Sequence, residues 1–196
     1  MMVIGTSLGG LHALQILLPG LPKGFPLPVA IAQHRHKDSD DSLCVFLQQY
    51  CALPVSEAED KEPIMPGRVY LAPADYHLLL EGGHLALSTE APVCHARPSI
   101  DVLFESAADA YAQRAIGVIL TGASHDGSQG ILSLQSRGGL AIVQEPTTAE
   151  SPTMPKAAIA ALQQQRLPNT LYASYWILPL PDIAPFIVNL CHWALR

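Results

Sequence analysis

The chain has 196 residues, 49 % apolar and only 14 % charged, which is enough for one well-buried core and too dry for intrinsic disorder. Its net charge of −6, from 11 Lys and Arg against 17 Asp and Glu, includes no basic cluster able to displace counterions, which argues against nucleic acid or an anionic membrane surface as partner. The uncharged residues 1–22 lack a basic start and are broken by Gly5, Thr6, Ser7, Gly9, Gly10 and His12, so they read neither as a signal peptide nor as a membrane span.

In chain order, Val3–Gly5 is a short apolar strand running into a glycine-rich turn, and Leu11–Leu18 has helical spacing. Pro19–Pro28 is a proline-rich connection, after which Val29–Ala32 is a second strand ending at Gln33-His34. Ser39 or Asp40 is positioned to cap a helix running to about Cys51. Pro54–Ala58 and Arg68–Ala72 are short strand candidates, and two apolar runs around Gly82-Gly83, spanning Leu78–Leu87, predict a β-hairpin. Further on come a helix over Pro98–Gln113 capped by Ser99, a strand over Ala115–Leu120, a helix over Gly127–Arg137 and a strand over Gly139–Gln144. Helices over Met154–Gln165 and Pro181–Ala194 complete the chain. Strands without polar alternation, each followed by a helix, predict an α/β fold: a doubly wound, mostly parallel sheet flanked by helices, with one antiparallel hairpin, as a single domain.

Ligands of such sheets bind beyond the carboxyl ends of the strands. Three chemically capable residues emerge there: Ser7 after the first strand, His34 after the second, and Asp126 after the Ala115–Leu120 strand. Together they are the inventory of an activated serine nucleophile. Gly5-x-Ser7-x-Gly9 matches a strand-turn-helix nucleophile elbow, whose glycines permit the sharp turn and whose amides can face an oxyanion. A dinucleotide site is excluded, because Ser7 stands where the second glycine of the fingerprint is needed and Gln33-His34 where an acidic residue would hold a ribose. No Gly-Lys-Ser/Thr of a phosphate loop is present. His34-x-His36 with Asp38 or Asp40 lacks a third metal ligand of suitable spacing, so no metal and no cofactor are expected. The remaining histidines (His12, His77, His84, His95, His125 and His192) read as structural or exposed. Cys44, Cys51, Cys94 and Cys191 form no Cys-x-x-Cys pair and read as small buried hydrophobes of a reduced, cytoplasmic chain.

Several segments in order resemble the catalytic domain of the chemotaxis protein-glutamate methylesterases, the CheB type. They are Val3-Ile4-Gly5-Thr6-Ser7-Leu8-Gly9-Gly10, Gln33-His34, Ala72-Pro73-Ala74-Asp75-Tyr76-His77, Arg97-Pro98-Ser99-Ile100-Asp101-Val102-Leu103-Phe104, Gly117-Val118-Ile119-Leu120-Thr121-Gly122, Asp126-Gly127 and Met154-Pro155. The likeness covers nearly all of residues 1–196 and implies Ser7 as nucleophile, His34 as general base and Asp126 as its orienting carboxylate. It implies hydrolysis of γ-glutamyl methyl esters on the cytoplasmic helices of methylated chemoreceptors, releasing methanol, with glutamine deamidation as a sister activity. Amides near Leu8, Gly9 and Ala123 are then the oxyanion donors, and Arg97 is either a contact to the acidic receptor surface or one half of a structural salt bridge. The chain departs from the family pattern at Leu8, where a small polar residue is usual, and at Ala123-Ser124, where Met-Gly is usual. The family also couples this domain to a phosphorylatable receiver domain; the chain has no stretch that could form one, so phosphorelay control is expected from outside this chain or not at all. Two other functions stay open: a silent receptor-binding relative, and a serine esterase for another small ester.

Overall fold

The computed structural model describes residues 1–164 and 175–194. Its strands are β1 (Met2–Thr6), β2 (Val29–Gln33), β3 (Val55–Glu57), β4 (Val69–Leu71), β5 (His77–Glu81), β6 (His84–Ser88), β7 (Ile116–Ile119), β8 (Leu140–Gln144) and β9 (Tyr175–Leu178). Its helices are α1 (Gly10–Leu17), α2 (Ser42–Gln48), α3 (Ile100–Tyr111), α4 (Ser128–Ser136), α5 (Thr153–Gln164) and α6 (Leu180–Ala194). Seven strands make one parallel sheet in the order β3-β4-β2-β1-β7-β8-β9, while β5 and β6 pair antiparallel through Gly82 and Gly83. Both glycines have positive φ, 54° and 92°, as a two-residue turn matched to strand twist requires.

The apolar alternation of β1 divides the core between two faces. Val3 belongs to the layer built with Ile100 and Phe104 of α3, Ile131 of α4 and Met154 of α5. Met2 and Ile4 belong to the layer built with Leu14 and Leu17 of α1, Leu47 of α2 and Ile183 of α6. Helices therefore cover both faces, which is why the central strands carry almost no polar residue. Strand order reverses between β2 and β7 on either side of β1, so the crevice at the carboxyl end of β1 is the switch point where α/β sheets bind ligands.

Gly5 lets the start of α3 close on β1: a Cβ built there would lie 2.2 Å from Ile100 Cγ2. Ile100 is fully buried and has no room to retreat. Gly5→Ala is therefore expected to lower stability by about 1–3 kcal/mol, measured by denaturant unfolding, and to lower activity per folded molecule by displacing Ile100.

The doubly wound parallel sheet and the hairpin agree with the sequence reading, with two differences of detail. The edge strand β9 was not anticipated, being four residues long with Trp176 and Ile177 exposed, so it lacks the buried run that marked the other strands. The α2 helix begins later than expected, at Ser42 with Asp41 as its N-cap, while the Asp40 carboxylate accepts the Ser42 N–H at 3.1 Å. The predicted end of the Met154–Gln165 helix, Gln165, lies outside the described residues.

Candidate active site

The chain leaves β1 at Thr6 and turns through Ser7, Leu8 and Gly9 into α1. The Ser7 N–H donates to the Thr121 carbonyl at 3.0 Å and the Ser7 carbonyl accepts from the Gly10 N–H at 2.9 Å, so the turn is pinned to the segment after β7 and to its own helix. Gly9, the N-cap of α1, has φ 78°, a left-handed conformation that favours glycine. The elbow anticipated from Gly5-x-Ser7-x-Gly9 is thus present as a strand-turn-helix junction.

His34 follows β2 directly, and its N–H donates to the Thr6 carbonyl at 3.0 Å. Its ring Nε2 is 2.8 Å from Asp126 Oδ2. Asp126 is completely buried between β7 and α4. Its Oδ1 also accepts from Ser99 Oγ, Asp101 N and Gly127 N at 2.9, 2.9 and 3.0 Å, and its Oδ2 from Ile100 N at 2.7 Å. Burial alone would raise this carboxyl's pKa. The His34 ring and the Asp101 and Ile100 amides outweigh burial and hold it below the usual carboxylate range. Asp126 is therefore a fixed anion set against the N-terminus of α3. With Nε2–H donating to it, the free lone pair of His34 is on Nδ1.

Ser7 and His34 line one open cleft of about 570 Å³ with Leu8, Gly9, Gln33 and Glu150. The Ser7 hydroxyl makes no hydrogen bond among the described residues, so the His34–Asp126 link is closed and the Ser7–His34 link is open. Such nucleophile–base bonds often tighten only when substrate binds. The Leu8 and Ala123 N–H groups have no acceptor among the described residues; both residues are exposed, Leu8 lining the cleft and Ala123 in the loop after β7. Leu8 also presents its side chain to solvent, 57 % exposed, as an apolar rim. Arg97 borders a second cavity, of about 330 Å³, that His34 also lines. Its guanidinium is engaged: Nε and Nη2 lie 3.0 and 2.6 Å from Asp75 Oδ1, and Nη1 donates to the Thr89 and Glu90 carbonyls.

Some supports carried no signal in the sequence reading. His77 is buried, accepting from Ser99 N at Nδ1 (3.2 Å) and bonding the Ala91 carbonyl through Nε2 (3.1 Å), so it steadies the residue that caps α3 and binds Asp126. Thr121 Oγ1 donates to the Leu8 carbonyl at 2.9 Å and accepts from Ser151 N at 2.8 Å, tying the nucleophile turn to the loop before α5. Of the cysteines, Cys44, Cys51 and Cys191 are buried as expected; Cys94 is exposed, because it sits in a positive-φ turn outside both core layers. Cys94, Asp101 and Asp126 bring one ligand atom each within 4.8 Å of one another. The five donors on Asp126 leave that carboxylate no lone pair for a cation.

Asp101, whose N–H belongs to this network, also accepts the Gly130 N–H at Oδ1 at 2.6 Å and so joins α3 to α4. Burial, opposed by that hydrogen bond and reinforced by the Asp126 charge, pushes its pKa up to about 6. The folded state thus binds this proton more tightly than the unfolded chain, and the stability penalty grows as pH rises from the ordinary carboxyl value through about 6. Asp101→Asn keeps the acceptor and removes the charge. Its Tm relative to the unaltered protein is expected to rise between pH 4 and pH 7, by at least roughly 1 kcal/mol or 2–4 °C, in calorimetry at the two pH values.

The described helices include none long and apolar enough to cross a membrane. Residues 2–174 match the family model described as CheB methylesterase. A relative from Leptospira interrogans is 47 % identical over 189 residues, covering 96 % of this chain and 93 % of that protein. The Thermotoga maritima protein named protein-glutamate methylesterase/protein-glutamine glutaminase is 37 % identical over 161 residues, covering 80 % of this chain and 47 % of that longer protein. The crystal structure of the Thermotoga maritima CheB methylesterase catalytic domain superposes with a TM-score of 0.86 at 35 % identity, over 96 % of this chain and 97 % of that one.

Proposed function

The chain belongs to the CheB methylesterase family and is a hydrolase of the protein-glutamate methylesterase type; from that premise we propose that Ser7, His34 and Asp126 carry out the hydrolysis, on methylated glutamate side chains of chemoreceptors in the cytoplasm. The observation that carries the reading is the 2.8 Å bond between His34 Nε2 and a fully buried Asp126 beside the Ser7 elbow.

His34 Nδ1 takes the Ser7 hydroxyl proton as Oγ attacks the ester carbonyl carbon, and Asp126 stabilises the imidazolium that forms. The Leu8 and Ala123 amides receive the developing oxyanion. The tetrahedral intermediate collapses as the His34 Nδ1–H protonates the departing methoxide, giving methanol and an acyl-Ser7. Water, deprotonated by the same nitrogen, then attacks the acyl carbon, and its collapse returns the proton to Ser7 and frees the glutamate. With a glutamine side chain the same steps release ammonia, which makes deamidation a second outcome of one site. Gly9 allows the turn that presents these amides, and Arg97, its charge balanced by Asp75 beside the His34 cavity, offers the substrate surface a contact at the rim.

The test is methanol release from methylated chemoreceptor cytoplasmic fragments, run beside a small methyl ester. Release from the receptor at least about 10²-fold faster per kcat/KM than from the small ester is expected, since remote contacts are what supply transition-state binding. Turnover of the small ester alone would replace the receptor as substrate; turnover of neither would make the chain a silent relative.

A further inference from the structure

The β1–β2 ladder ends at the Thr6–Gln33 pair, so Ser7 and His34 are the first residues beyond the sheet on adjacent strands. The side-chain amide of Gln33 bridges them. Its Nε2 donates to the Ser7 carbonyl at 3.0 Å and to the His34 carbonyl at 2.8 Å. The opposite end of the same amide, Oε1, is buried with no hydrogen-bond partner among the described residues. It rests against Gly10, where a Cβ would come within 2.2 Å of it. Reversing the amide would set its oxygen against two carbonyl oxygens, so the double donation fixes the orientation. An unpaired buried carbonyl is costly, and a fold that keeps one beside its nucleophile is retaining it for the other end of the group.

We propose that Gln33 is a positioning residue for the hydrolysis: its amide sets the separation and tilt of the Ser7 and His34 peptides where the strand ladder no longer does, and so holds the nucleophile in line with Nδ1 of its base. The idea rests on the assignment of Ser7 and His34 above. Gln33 does not touch substrate in this account. Its removal leaves two carbonyls free to rotate, and displacements of about 1 Å at such a distance from the chemistry can cost about 10²-fold in rate.

The experiment measures second-order labelling of Ser7 by a fluorophosphonate, per folded molecule, and kcat and KM for methanol release, for Gln33→Met and Gln33→Glu between pH 5.5 and 8.5. Gln33→Met keeps length without donors and is expected to label about 10–100-fold more slowly at every pH, with KM within about twofold. Gln33→Glu is expected to approach the unaltered rate at low pH, where a protonated carboxyl donates to one carbonyl, and to lose it as pH rises and the carboxylate faces two carbonyl oxygens. A merely structural glutamine would lower Tm while leaving the rate per folded molecule and the pH ratio unchanged, and that result overturns the proposal. Should Gln33→Met not fold, the Gln33→Glu ratio decides alone. Labelling that persists in Ser7→Ala would instead overturn the nucleophile assignment, a separate failure.

Discussion

Replacing Ser7 by alanine is expected to abolish methanol release, with kcat falling about 10⁴–10⁶-fold, because the proposed acyl intermediate forms on its hydroxyl. The residual rate comes from the amides of Leu8 and Ala123 and from binding alone. Stability is expected to stay within about 0.5 kcal/mol, since the Ser7 hydroxyl holds no hydrogen bond among the described residues and the turn is pinned by backbone groups that alanine retains. Methanol assays paired with thermal unfolding separate the two effects. Unchanged release with an unchanged Tm would remove Ser7 from the chemistry.

Asp126→Asn is expected to combine both kinds of loss. The carboxylate receives Ser99 Oγ, three backbone N–H groups and the His34 ring. An amide of the same shape turns one acceptor into a donor that meets N–H groups already pointing at it, which costs about 1–3 kcal/mol at neutral pH. The same change removes the partner that keeps the proton on His34 Nε2 and the lone pair on Nδ1, and loss of such a carboxylate lowers kcat by about 10⁴-fold. The pH dependence follows from the sign of the shift. The Asp126 pKa is held below its unfolded value, so its stabilisation is present above the ordinary carboxyl range and fades as pH falls through the folded value. The stability gap between Asp126→Asn and the unaltered chain should therefore narrow in urea titrations toward pH 3. A gap that is constant with pH would mean that the charge contributes nothing to folding.

The parts of this architecture that sequence makes legible are those governed by periodicity and by the position of a residue relative to a strand end. β1, β2 and β7 are runs of buried residues with no polar interruption, and each hands over at its carboxyl end to a residue of distinctive chemistry: Ser7, His34, or the loop to Asp126. Strand ends converge in a parallel sheet, so chain order alone places the three on one rim. What stayed hidden is the second layer of contacts, because it depends on direction rather than spacing. Gln33 reads as the polar last residue of a strand, and only the orientation of its amide reveals the bridge from Ser7 to His34. His77 starts a hairpin strand, and nothing local to it signals a bond to Ser99, 22 residues on. Arg97 was legible as a rim residue, whereas its engagement with Asp75 and two carbonyls depends on how the 75–97 segment folds back. The ring nitrogen that faces Asp126 could not be read from sequence either: Nε2 is used here, which leaves Nδ1 free. Cys94 was misjudged for a related reason, because average cysteine burial says nothing about a residue held in a turn outside the core.

The most direct measurement is the site of covalent capture. The protein is incubated with a fluorophosphonate, digested, and the adduct located by mass spectrometry, with His34→Ala and Asp126→Ala alongside. One adduct is expected, on Ser7, formed in the unaltered chain and slowed at least about 10³-fold in either variant. An adduct on another serine, such as Ser124, or a Ser7 that labels equally well without His34, would contradict it.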